Sequence, residues 1–123
     1  MTAIVLFTDF GPGGPYTGQM ESVIRQIAPA SPVINLLSSA PAANPRLSSY
    51  LLAALRYSFP AGSIFLTVVD PGVGTDRKAV VLHADGQIFV GPDNGLLNTV
   101  ALQSRHSQWS EITWEPRQCS MSF

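Results

Sequence analysis

Apolar and polar positions along this chain alternate in two rhythms. Short apolar runs at Ala3 to Thr8, Val33 to Leu37 and Ser63 to Val69 are bounded by turn-forming residues and read as strands. Between them the spacing changes to that of helices. From Tyr16 to Ile27 the apolar positions Met20, Val23, Ile24 and Ile27 recur at helical intervals, and Pro29 ends the run. Asn44-Pro45 reads as an N-cap followed by proline at the first helical position. That second helix is expected to run to about Tyr57, with Leu47, Tyr50, Leu51, Ala54 and Leu55 facing a sheet, and Pro60-Ala61-Gly62 closes it. Ala79 to His83 and Gln87 to Val90 flank Asp85-Gly86, the signature of a two-residue type I′ hairpin. Gly95 opens a short helix containing Leu96, Leu97, Val100 and Leu102, and Trp109 to Trp114 reads as a last strand.

The order strand, helix, strand, helix, strand, then hairpin, helix and strand predicts an α/β fold. A largely parallel central sheet would lie between helices in a three-layer-like sandwich, joined by right-handed crossovers. Ligands of such sheets sit beyond the carboxyl ends of the strands. Residues 1–114 are expected to form one domain, and 115–123 an irregular tail.

Composition narrows the class. At 123 residues the chain suits one domain with a real core. Apolar residues make up 46% and charged ones 12%, so much of the surface is uncharged or covered by a partner, which favours an oligomer. A net charge of −1 with scattered Lys and Arg leaves no footprint for nucleic acid or an acidic membrane. The single cysteine, Cys119, has no internal disulfide partner. No apolar stretch approaches membrane-spanning length and no signal peptide is evident, so cytoplasm is the default expectation.

Candidate chemistry concentrates at three strand exits. The run Val68-Val69-Asp70-Pro71-Gly72-Val73-Gly74-Thr75-Asp76-Arg77 delivers a carboxylate from a strand into glycine-rich backbone, with a guanidinium seven residues on. Glycines there let backbone approach a ligand closely. A surface turn with an ion pair is the other reading. Thr8-Asp9-Phe10-Gly11 and Gly91-Pro92-Asp93-Asn94-Gly95 repeat the arrangement. Either Asp9, Asp70, Asp93 and Asn94 converge on one crevice or they occupy independent turns; spacing alone leaves both open.

In this order, TDFG, VVDPGVGTDR and GPDNGLL resemble the S-adenosylmethionine hydroxide adenosyltransferase family, which is related to fluorinase and chlorinase enzymes. The similarity spans about Ile4 to Leu102. It implies hydrolysis of S-adenosylmethionine to adenosine and methionine by attack of water at the ribose C5′, with no cofactor. By resemblance, Asp70 and Arg77 flank the attacking water, Asp9 grips the ribose diol, and Asn94 shapes the pocket floor; a turn residue satisfying its own backbone is the alternative for Asn94. The resemblance also implies a homotrimer with a small-molecule substrate and neither nucleic acid nor membrane as partner.

Departures from the family's pattern accompany the matches. Its third catalytic group lies in a Thr-Phe-His-Gly-Arg-Asp motif in which neither His83 nor His106 sits. Asn35 and Ser38 stand where relatives carry Asp and His, and Ala43 where they often place an aromatic. The family's C-terminal domain has no counterpart in these 123 residues. Two expectations follow: a hydrolase domain impaired by truncation, or a non-catalytic relative serving as a binding or assembly module. A halogenase reading is weaker, because Asp70 with Arg77 suits water better than a desolvated halide.

Overall fold

A computed structural model describes residues 2–71 and 78–113. Its elements are β1 (Ile4–Thr8), α1 (Tyr16–Ile27), β2 (Val33–Leu37), α2 (Pro45–Leu55), β3 (Ile64–Val68), β4 (Ala79–Ala84), β5 (Gln87–Pro92), α3 (Asn98–Gln103) and β6 (Ser107–Glu111). The sheet order is β2-β1-β3-β5-β4-β6. β2, β1, β3 and β5 run parallel, while β4 pairs antiparallel with both β5 and β6. The predicted α/β sandwich with a largely parallel sheet is the architecture observed. The predicted tail lies outside the described residues, as does the Trp114 end expected for the last strand, which here stops at Glu111.

Parallel pairing sets one register across three strands. Val5 lies opposite Phe65 and Leu6 opposite Leu66; on the far side Phe65 meets Phe89. One sheet face therefore presents Val5, Phe7, Phe65, Val69, Leu82 and Phe89 to α2 and α3, and these form the buried core with Leu52, Leu96, Leu97 and Val100. Phe65 stacks on Phe89 at 4.6 Å between ring centroids and takes Phe59 edge-on at 5.4 Å.

Both long helices begin and end close to where the pattern puts them, but the buried face of α2 differs from expectation. α2 turns Ser48, Ser49, Leu52 and Ala53 inward, while Leu47 and Tyr50 are exposed. Two serines can enter the core because their hydroxyls are satisfied. Ser48 donates to the Pro41 carbonyl at 3.3 Å; Ser49 Oγ donates to Thr99 Oγ1 at 2.8 Å and accepts the Thr99 N–H. Small side chains then let α2 approach α3 closely. A short 3₁₀ turn, Arg56–Ser58, continues α2 where further α-helix was expected. α3 starts at Asn98, later than Gly95, and its Leu102 is 86% exposed.

α1 is the more exposed helix. None of its residues is buried, and Val23 and Ile27, two of its apolar repeat positions, are 55% and 78% exposed. Periodicity marks an apolar stripe without saying what covers it. The sheet face on the α1 side is correspondingly thinly covered: Leu6 is buried, whereas Leu66, Val68 and Val90 are only partly so.

Asp85 and Gly86 both take left-handed backbone, φ 50° and 83°, as a type I′ turn requires. The N–H groups of His106 and Arg105, each 3.0 Å from Asp85 Oδ1, tie this hairpin to the segment before β6. Bonding to the His106 N–H is the main cause that holds the Asp85 carboxyl below its ordinary value; desolvation opposes it, and the Arg105 N–H and Arg56 add to it. Arg56 itself is 2% exposed, lies over the Tyr57 ring at 4.6 Å and stands 3.6 Å from Asp85 Oδ2.

Two outcomes are expected. A Cβ at Gly91 would collide with Thr67 Oγ1 and lie 2.9 Å from the Thr67 carbonyl oxygen, backbone that cannot swing away. Gly91→Ala should therefore cost about 2–3 kcal/mol in urea unfolding. Because the Asp85 pKa is lowered on folding, its stabilisation is present above the unfolded carboxylate value and lost as pH falls through the folded one. Asp85→Asn, which keeps the turn, should flatten that acidic limb of the Tm-versus-pH curve.

Candidate active site at the strand tips

The register of β1, β3 and β5 brings three strand exits side by side. Thr8 lies opposite Val68, and the Asp9 N–H continues the ladder to the Val68 carbonyl at 3.2 Å. Two residues on, at the exit of β3, stands Asp70, 9% exposed. From β5, Asn94 Nδ2 donates to the Val69 carbonyl at 2.9 Å, while its Oδ1 accepts the Leu96 N–H at 3.1 Å. Asn94 thus clamps the backbone immediately before Asp70 and shapes its own turn. Asp93 is exposed, its N–H held by the Lys78 carbonyl at 2.8 Å.

The two carboxylates are neighbours in the backbone but diverge in direction. Asp9 Oδ2 accepts the Ala43 N–H at 2.7 Å, on the side of the loop that leads into α2. Val69, the residue level with Asp9, belongs to the core beneath α2, as the strand pleat requires. Asp70 comes one residue later and lines a cavity of about 340 Å³ on the α1 side, with Met20, Leu66, Val68, Val90 and Pro92. A single face of the sheet therefore does not hold both. Only a ligand lying across the tips, beyond the end of the pleat, meets Asp9 and Asp70 together. Arg77 lies outside the described residues.

The exit loops are stapled to each other. Gly11 N–H donates to Ser38 O at 2.7 Å and Ala40 N–H to Thr8 O at 3.0 Å. Asn35 and Ser38 bond to each other, Nδ2 to Oγ at 2.8 Å, and so hold the exit of β2. Asn44 accepts the Leu47 N–H at 3.1 Å, the N-cap predicted for α2. Sequence reasoning missed two features of this region. Met20 lines the cavity beside Asp70, although its spacing reads only as helix, and Lys78 lines the same cavity with no motif to announce it. Among the described residues, no group of three or more His, Cys, Asp or Glu side chains is arranged to hold a metal. No helix of the described residues is long and apolar enough to cross a membrane.

Acidic and amide side chains gather here where parallel strands of an α/β domain end, the edge at which ligands of such sheets generally sit. Residues 4–123 match the SAM hydroxide adenosyltransferase N-terminal domain, and the chain belongs to this family. It is 42% identical over 98 residues to a protein of Thermus thermophilus named (R)-S-adenosyl-L-methionine hydrolase, covering 78% of this chain and 37% of the relative. A Methanocaldococcus jannaschii protein of the same name is 36% identical over 104 residues, covering 80% and 39%. The fold matches a crystal structure of an uncharacterized conserved protein from Thermotoga maritima with a TM-score of 0.84 at 38% identity, covering 89% of this chain and 42% of that one. The chain thus spans well under half the length of these relatives.

Removing the Asn94 amide strands the Val69 carbonyl and the Leu96 N–H at once. Asn94→Ala should lower stability by about 1–3 kcal/mol in chemical denaturation.

Proposed function

We propose that this chain supplies the water-positioning part of an S-adenosylmethionine hydrolase. The observation that carries the reading is the gathering of Asp9, Asp70 and Asn94 at adjacent strand tips, in a chain whose relatives bear that name. S-adenosylmethionine carries its own leaving group, a sulfonium, so the reaction needs a held nucleophile and no cofactor. Water's oxygen forms a bond to the ribose C5′ as the C5′–sulfur bond breaks. The electron pair of that bond turns the sulfonium into methionine's neutral thioether, and the proton of the attacking water leaves to solvent.

In this reading Asp70 accepts a hydrogen bond from the attacking water and turns a lone pair toward C5′. Arg77 stabilises the charge that develops on the oxygen. Asp9 receives the ribose hydroxyls, and Asn94 fixes the backbone from which Asp70 projects. The same reading makes the protein a cytoplasmic homotrimer acting on a small molecule, with neither nucleic acid nor membrane as partner.

The test is release of adenosine and methionine from S-adenosylmethionine, followed by chromatography. Impaired but measurable turnover is expected, and Asp70→Asn should slow it about 10²–10⁴-fold further without loss of folding. Binding of adenosine without turnover would instead identify a non-catalytic binding module.

A further inference from the structure

Ala43 adopts φ 48°, a left-handed backbone that a residue with a Cβ rarely takes. Ala43 is the third residue of the turn that the Asn44 N–H closes on the Pro41 carbonyl at 3.1 Å, a position where some turns take positive φ, and a long-range contact adds to this local geometry. The contact at that point is electrostatic: the Ala43 N–H donates to Asp9 Oδ2 at 2.7 Å, a short charge-assisted bond across 34 residues of sequence. The other carboxylate oxygen of Asp9, Oδ1, accepts no hydrogen bond among the described residues. Backbone bonds fix both ends of the loop around it, Ala40 to Thr8 and Asn44 to Pro41, and the Asn44 cap then starts α2. Left-handed alanines persist only where surrounding structure holds them, and such residues cluster at ligand clamps.

We propose that Asp9 and the Ala43 backbone form a lock. Asp9 Oδ2 holds Ala43 in the left-handed state, and the Ala43 N–H in return fixes the carboxylate so that Oδ1 faces the strand-tip crevice. Ala43 is thus a positioning residue that acts through its main chain. The part concerning ligand rests on the reading of Asp9 given under Proposed function; the lock itself does not. One consequence is that loop 38–44 and any ligand at Asp9 are coupled: a ligand that takes Oδ1 finds its acceptor already oriented, and loosening Ala43 removes that advantage.

Glycine at position 43 separates the two halves of the claim, because it keeps the N–H but removes the penalty on φ. Ala43→Gly should raise Tm by about 2 °C or more in the otherwise unaltered chain. In the Asp9→Ala background, where the loop relaxes to ordinary φ, the same change should give no gain. In the Asp9→Asn background, which retains an acceptor oxygen, the gain should return. Equal gains in all three backgrounds would overturn the lock. Should Asp9→Ala fail to fold, amide hydrogen exchange of the unaltered chain decides: protection of the Ala43 N–H supports the lock, and exchange at the rate of an open loop overturns it.

The positioning role has its own readout. Ala43→Pro, which deletes the N–H and cannot take positive φ, should bind adenosine about threefold or more weakly by calorimetry, whereas Ala43→Gly should bind it at least as tightly as the unaltered chain. A purely structural contact would leave the affinity of Ala43→Pro unchanged, which would overturn positioning. If the unaltered chain binds no adenosine, the hydrolase reading fails, while the lock stands or falls on melting and exchange.

Discussion

The parallel register of β1, β3 and β5 is the constraint on which everything else depends. It sets Thr8 beside Val68 and Leu66 beside Val90, so that three chain segments far apart in sequence leave the sheet at one edge. Hydrogen bonds then extend that register past the strands: Asp9 to Val68, Asn94 to Val69, Ala43 to Asp9. Strand pairing is cooperative and buried on its α2 side, so the carboxylates inherit a rigid base that loops alone would not provide. The same stiffness explains Gly91, where β5 lies against Thr67 too closely to admit a methyl group.

The two sides of the sheet play unequal parts. Beneath α2 and α3 lies the aromatic and aliphatic core, closed by serine hydroxyls that find partners and by the Arg56 guanidinium stacked on Tyr57. On the α1 side the apolar strands are thinly covered and leave the cavity beside Asp70. Stability therefore resides chiefly on one face, and open space adjoining the candidate chemistry on the other. Asp9 and Asp70 straddle this division. A ligand contacted by both must lie over the edge of the sheet, where the alternation of the pleat no longer separates them.

Much of this was legible in the sequence where the cause is local. Asn44-Pro45 marks the start of α2 and Asp85-Gly86 the hairpin, because a cap and a type I′ turn are specified by the residues that form them. The three acidic or amide strand exits are likewise visible as acids beside glycine or proline. Helix faces were less legible. Leu47 and Tyr50 look like core by periodicity, yet Ser48 and Ser49 take the inward positions because Pro41 and Thr99 satisfy their hydroxyls. Val23 and Ile27 keep an apolar rhythm that nothing among the described residues buries. Nor does any sequence signal report the left-handed backbone at Ala43, whose N–H meets a carboxylate 34 residues away. Family motifs mark Asp9 and Asp70 as a pair, but the pleat that aims them differently emerges only in three dimensions.

The most direct measurement is a crystal structure of the chain with adenosine bound. The ribose should lie over the ends of β1 and β3, its hydroxyls on Asp9 Oδ1 and its C5′ directed at Asp70, with Ala43 still left-handed. A nucleoside seated on one face of the sheet out of reach of either carboxylate, or bound elsewhere on the domain, would contradict the account.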